Sequence, residues 1–318
     1  MFLKKLAAYR RCAVVPLMVA FVVAGSAQTA SLVTTGLYVI SSEAGNSILR
    51  LSGNGLILVD GQPPDNYDTL RERVARISKQ SIRVLIVTDY HQSHTGTNAR
   101  FLNDGTAILL QENAQQRLAT YHPPSGQTAT PIKTYDKEFD LRTGGVEAKL
   151  MHFGSAYTDG DTVVYFPLLK VVAVGDLFSG TPNPDFSAGG SLVGWGPVLA
   201  QILKLDFDVV VPGTGPTVSR ADLEAFKTKI DTLVSRAAGL VKDGVPKDQL
   251  MGKLKTDDLG WQLSFTPEQI DHFYSELSQA ERGQLEVSGA DAQQALSQPS
   301  GWQSTDVRQS SPTTAVNQ

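Results

Sequence analysis

The chain has 318 residues, of which 41% are hydrophobic and 19% charged, and its formal net charge is −4. That composition excludes a collagen-like, disordered or multi-span membrane protein. The near-balance of 28 basic and 32 acidic residues leaves no electrostatic footprint for nucleic acid, and the length supports a core that needs no disulfides.

In chain order, Lys4, Lys5, Arg10 and Arg11 precede an apolar run from Cys12 to Ala24, and Gly25-Ser26-Ala27 supplies small residues at a cleavage site. This pattern predicts a secretory signal peptide over residues 1–27 and an exported protein, periplasmic or secreted, with no membrane attachment after cleavage. The run is shorter than the about 20 residues of a spanning helix. Cys12 is the only cysteine and lies within the signal. The remainder then has no disulfide, no thiolate metal ligand and no cysteine nucleophile.

Three short β-type runs follow, Leu37–Ser41, Ser47–Ser52 and Leu56–Val59, broken by Gly45-Asn46 and Gly53-Asn54-Gly55. Such turn chemistry predicts an antiparallel meander. Leu70, Val74 and Ile77 recur at helical spacing and predict a helix over Tyr67–Ile77. Val84–Thr88 and Ala107–Leu110 read as buried strands flanking a polar, then helical, segment from Asp89 to Phe101, an order that implies a parallel pair. Phe139–Leu141, Val146–Phe153, Thr162–Phe166 and Val171–Val174 are again strand-like, followed by a helical stripe of Leu199, Ile202 and Leu203 and a last strand, Val209–Val211. Two β-rich halves, each closing with helix and strand, predict an internally duplicated, layered α/β domain. Ser219, with Asp222 three residues on, opens a long amphipathic helix, and Thr266-Pro267-Glu268-Gln269 is a second helix start. The domain is expected over 28–282, including this C-terminal helical extension. From Gly283 the chain turns rich in Gln, Ser, Thr and Ala, which predicts a disordered tail over 283–318.

The chemistry concentrates in Thr88-Asp89-Tyr90-His91-Gln92-Ser93-His94-Thr95-Gly96-Thr97-Asn98, between a buried strand and a helix. Two of the five histidines lie there. Histidines at this spacing either share a helix face that binds a metal or are polar loop residues. Of the others, His122 lies in a Pro/Gly/Ser loop, His152 alternates within a strand and His272 sits on the last helix. Trp195 reads as core or as a pocket wall, and Asp161 as a turn cap. Ser-x-x-Lys and Gly-x-Ser-x-Gly patterns are absent, so serine-hydrolase readings have no motif.

The segment resembles the hallmark His-x-His-x-Asp-His-x-Gly-Gly-Asn of the metallo-β-lactamase superfamily. The likeness continues in order through Leu58-Val59-Asp60-Gly61, Gly154–Asp161, Gly175-Asp176 and Val211-Pro212-Gly213-Thr214-Gly215. It implies a four-layer αββα sandwich with a dinuclear metal site at one edge and a hydrolytic activity. Mapped onto the family pattern, the first metal subsite would see Asp89, His91 and Tyr157, the second Ser93, His94 and Thr214, and Asp176 can reach either. Hydroxyl groups of Tyr, Thr and Ser keep their protons at neutral pH and ligate poorly. Asp89, His91, His94 and Asp176 remain as metal ligands, enough for one ion and too few for two. The cofactor expectation is accordingly none or one weakly bound divalent metal, zinc first. Ser93 also removes the carboxylate that orients the attacking water, a contribution of about 10²–10⁴ in rate. Two readings follow: a hydrolytically impaired binding module for a small molecule, or a hydrolase of esters, lactams, thioesters or phosphoesters with a rebuilt mononuclear site.

Overall fold

The computed structural model describes residues 28–120 and 133–297. The expected signal peptide, His122 and the last 21 residues of the expected tail lie outside them.

The first half is a seven-stranded sheet whose strands lie in sequence order. Strands β1 (Thr29–Thr34), β2 (Leu37–Ser42), β3 (Gly45–Ser52) and β4 (Gly55–Val59) form the antiparallel meander. Helix α1 (Tyr67–Ile77) then crosses over to β5 (Ile82–Ile86), which pairs in parallel with β4. The short helices α2 (Gln92–Thr95) and α3 (Asn98–Asn103) cross to β6 (Ala107–Gln111), and α4 (Glu112–Thr120) precedes β7 (Lys133–Tyr135), again in parallel. Strand β1 escaped the sequence reading because it is an edge strand whose first four residues are exposed, so it carries no apolar alternation.

The second half repeats the plan in a six-stranded sheet. Strands β8 (Glu138–Thr143), β9 (Val146–Met151), β10 (Val163–Phe166) and β11 (Val171–Gly175) form another antiparallel meander. Helix α5 (Leu192–Ile202) crosses to β12 (Val209–Pro212), parallel to β11, and the two-residue β13 (Val218–Ser219) closes the edge.

Three apolar layers show how the sheets and helices stack. Ile57, Val59 and Ile86 of the first sheet meet Leu150, Val164 and Ala173 of the second in the central layer. Leu70 and Val74 of α1, with Phe101 of α3, cover the outer face of the first sheet against Leu58 and Leu85. Trp195 of α5 and Leu223, Phe226 and Ile230 of α6 (Arg220–Lys242) cover the outer face of the second against Val172 and Val174. The result is the expected four-layer αββα sandwich with two like halves. Each fully buried Leu, Ile or Phe in these layers contributes roughly 1.5–3 kcal/mol.

The N-terminus of α6 carries the expected capping box between Ser219 and Asp222. Helices α7 (Lys247–Lys253) and α8 (Pro267–Ser297) complete the outer layer. Helix α8 continues through Gly283, where the sequence placed the start of the disordered tail. Once nucleated and docked through Phe273 and Leu277, a helix propagates cheaply through residues such as Ala, Leu and Gln, whatever their lack of an apolar stripe.

Candidate metal centre at the strand ends

The site lies where β4, β5, β11 and β12 stop. Strand β4 gives way to Asp60, whose φ of 63° is in the left-handed region that Asp tolerates better than most residues. The Ser47 hydroxyl donates to the Asp60 carbonyl at 2.7 Å, and the Asp60 N–H donates to Ile86 at 2.8 Å. So held, the carboxylate points inward. Its Oδ1 accepts the Thr88 N–H and its Oδ2 the Thr88 hydroxyl, each at 2.8 Å, and Oδ2 lies 3.0 Å from His94 Nδ1.

Asp89 follows β5 and splits its two oxygens between two histidines. Oδ1 accepts the His91 backbone N–H at 2.7 Å and faces His91 Nδ1 at 2.9 Å. Oδ2 lies 3.3 Å from His94 Nε2. Asp176 follows β11 and brings its Oδ2 to 3.4 Å from the same Nε2. Gly213, just past β12, makes room for it: a Cβ there would collide with Asp176 Oδ1. Asn46 ties the two halves across this edge, donating from Nδ2 to the carbonyls of Pro212 and Gly215, both at 2.9 Å.

One ligand atom each from Asp89, His94 and Asp176 thus falls within 4.8 Å of the others. Asp89 Oδ2 and His94 Nε2 are buried and make no hydrogen bond to the described residues, although they approach each other and Asp176 approaches Nε2. Orphaned buried acceptors and donors cost about 1–3 kcal/mol each. Two of them converging beside a second carboxylate, Asp176, suit a cation. One imidazole and two carboxylates fit a single divalent ion such as zinc, iron or manganese. Asp60 supplies the outer partner: a carboxylate on Nδ1 fixes the tautomer that presents Nε2 as the ligand atom.

The structure brings together three of the four expected ligands. The fourth, His91, is turned aside, with Nε2 3.2 Å from Asp185 Oδ2, and it is not part of the three-residue group. Tyr157 is half-buried with its ring 5.1 Å from that of His91, Ser93 is half-buried on α2, and Thr214 is exposed on the loop after β12. Trp195 is core, its Nε1 donating to the Leu177 carbonyl at 2.9 Å. Asp161 caps a turn, accepting the Thr158 N–H and, at 2.6 Å, its hydroxyl. His152 stands at the strand end with Nδ1 2.9 Å from the Asp161 carbonyl, and His272 stacks on Phe186. Sequence reasoning assigned no role to Asp60 beyond its motif and passed over Asp185, whose Asn-Pro-Asp-Phe context carries no signal of its own.

Electrostatics follow the geometry. Burial lowers the affinity of His94 for its proton, but the charges of Asp89 and Asp60 outweigh it, so His94 titrates well above the usual histidine range. Burial likewise works against the His91 cation, yet its bonds to Asp185 and Asp89 raise its pKa to about 9. The bond from His91 holds Asp185 well below the usual carboxylate range despite partial burial. Burial lifts Asp60 above that range. Burial also opposes the Asp89 anion, but the two histidines win and its pKa falls. Tyr157 is pushed up by burial and by the charge of Asp176, which keeps its phenol protonated.

The family model described as "Metallo-beta-lactamase superfamily" matches residues 42–214, more than half of the chain. The 2,4-dinitroanisole O-demethylase subunit alpha of Nocardioides sp. (strain JS1661) is 26% identical over 203 residues, 63% of this chain and 62% of that protein. The match therefore spans less than two thirds of that relative. The type 2 metallo-beta-lactamase of Bacillus cereus is 25% identical over 199 residues, 59% of this chain and 74% of its own. Among solved structures, a metallo-beta-lactamase from Pontibacter korlensis aligns with a TM-score of 0.57 at 18% identity, covering 64% of this chain and 99% of that one. The metallo-beta-lactamase FIM-1 from Pseudomonas aeruginosa in its mono-zinc form aligns at 0.54 and 20% identity, covering 64% and 95%. Family match, duplicated sandwich and strand-end cluster agree, and the chain belongs to the metallo-beta-lactamase superfamily.

Proposed function

We propose that the protein is a metal-dependent hydrolase that works with one divalent cation held by Asp89, His94 and Asp176. The observation that carries this reading is the pair of buried atoms, Asp89 Oδ2 and His94 Nε2, that make no hydrogen bond to the described residues and converge beside Asp176. A divalent ion held by Asp89, His94 and Asp176 would supply Lewis-acid chemistry toward a carbonyl or phosphoryl oxygen. The chain's own residues do the rest. Asp60 holds the His94 imidazole in register, and His91 holds Asp89 through its second oxygen. The Tyr157 phenol, kept neutral and tilted against the His91 ring, offers a hydrogen bond to a substrate oxygen. Ester, lactam, thioester and phosphoester substrates suit this chemistry. The name of the Nocardioides relative adds an activated aryl methyl ether to the set.

A second reading has its own support. Without a cation, a charged His94 is itself surrounded by Asp60, Asp89 and Asp176, a self-sufficient ion cluster in an exported binding module. Metal analysis separates the two. Purified protein is expected to carry one zinc, iron or manganese per chain, and His94→Ala to carry none. A hundredfold excess of zinc over its dissociation constant should stabilise the metal-free protein by about 2.7 kcal/mol, roughly 5–11 °C in melting temperature. Metal-free protein that takes up no ion, or a hydrolytic activity indifferent to chelator and to His94→Ala, would overturn the hydrolase reading.

A further inference from the structure

Asp185 lies on the loop between β11 and α5, far in sequence from the metal segment. Its backbone is pinned on the site: the Asp185 N–H donates to the Tyr157 carbonyl at 2.8 Å, and the Asp185 carbonyl accepts from Gly190 at 2.9 Å. Gly190 itself has no room for a Cβ, which would collide with the Tyr157 carbonyl oxygen. The carboxylate is equally committed. Oδ1 accepts the Ser187 hydroxyl at 2.5 Å and the Ala188 N–H at 3.2 Å. Oδ2 accepts the Tyr90 hydroxyl at 2.5 Å and faces His91 Nε2 at 3.2 Å.

The His91 ring is therefore spanned between two carboxylates, Asp89 on Nδ1 and Asp185 on Nε2. It is only one carboxylate away from the metal group, because the Asp89 oxygen it faces shares a carbon with the oxygen directed at His94. Whether His91 ligates is decided by which acceptor its ring nitrogens find, and Asp185 is the competitor.

We propose that Asp185, braced by Tyr90, latches the His91 imidazole outside the metal group, so that this centre has three protein ligands and His91 is a positioning residue for Asp89. The proposal rests on the single-ion reading above for its metal arm and on the side-chain geometry alone for its metal-free arm. Asp185→Asn is the informative variant: the Asn carbonyl oxygen can keep the Ala188 N–H, while the amide nitrogen that replaces Oδ2 accepts nothing from Tyr90 or His91.

The test uses the full chain labelled with ¹⁵N-histidine and zinc as the probe, with calorimetric affinities for the parent, Asp185→Asn, His91→Ala and the double variant. In the parent, zinc is expected to move the ring-nitrogen resonances of His94 and leave those of His91 in place, and His91→Ala, which removes an outer partner of Asp89, should lower zinc affinity by about 10–100-fold. In Asp185→Asn the His91 resonances should move on adding zinc and the affinity should rise at least tenfold. The double variant should bind zinc within threefold of His91→Ala, because the gain in Asp185→Asn needs the His91 ring. Zinc-induced movement of the His91 ring-nitrogen resonances in the parent would show His91 to be a ligand already and overturn the latch. So would an Asp185→Asn protein that binds zinc as the parent does. If zinc binds none of these proteins, the single-ion reading falls. The latch is then judged by the metal-free spectrum, where Asp185→Asn should move the His91 Nε2 resonance away from its position in the parent. An unchanged spectrum would overturn it. Should Asp185→Asn fold poorly, Tyr90→Phe removes the brace alone and should give the same shift in smaller degree.

Discussion

Removing the Asp60 carboxylate should damage stability and metal binding together. Asp60→Ala leaves three buried groups without their acceptor: the Thr88 N–H, the Thr88 hydroxyl and His94 Nδ1. An unsatisfied buried donor costs about 1–3 kcal/mol, but water entry and relaxation recover part of the sum. Breaking a buried charged pair by deleting one partner costs about 3–5 kcal/mol, which sets the scale here. For a domain of this size the melting temperature should fall by roughly 6–20 °C. Zinc affinity should fall by about 10–100-fold, the usual effect of removing an outer carboxylate from a ligating histidine. Asp60→Asn should be milder on stability, because Asn also tolerates the left-handed backbone and keeps an oxygen for Thr88. Thermal denaturation by circular dichroism and calorimetric zinc titration measure the two effects. A melting temperature within about 2 °C of the parent, or an unchanged zinc affinity, would refute the role given to Asp60.

Gly213→Ala should lower zinc affinity at least tenfold in titration, since its Cβ competes with Asp176 Oδ1 for space. The accompanying destabilisation should stay at about 1–3 kcal/mol, the usual cost of overpacking. Glu276 is held above the usual carboxylate range by burial, while it accepts the Val193 N–H at 3.4 Å near the start of α5. A carboxyl whose folded pKa is raised stabilises below its unfolded value and loses that contribution as pH rises through the folded pKa. The melting temperature of the parent relative to Glu276→Gln should therefore fall between pH 4.5 and 7; a constant difference would refute the assignment.

Much of this protein is legible in its sequence because the determinants are local. The turns at Gly45-Asn46 and Gly53-Asn54-Gly55 mark the first meander, and Leu70, Val74 and Ile77 mark α1 over the residues where it is found. The Ser219–Asp222 box marks the start of α6, and the ordered series of strand-end motifs marks the family. Each depends on residues a few positions apart, whose relation is set by the period of a strand or a helix. The composition of the metal group is of another kind. His91 and His94 are three residues apart and look equivalent in the sequence, yet His94 faces Asp60, Asp89 and Asp176 and His91 faces Asp89 and Asp185. Their difference is made by carboxylates that arrive from elsewhere in the chain, 34 residues upstream of His94 for Asp60 and 94 downstream of His91 for Asp185. The parallel pairing of β4 with β5 brings Asp60 to His94, and the stacking of the second sheet on the first brings Asp176 and Asp185 to the same edge. A side chain's hydrogen-bond choice among nearby acceptors is then decided by distances of a few tenths of an ångström, which sequence spacing does not carry.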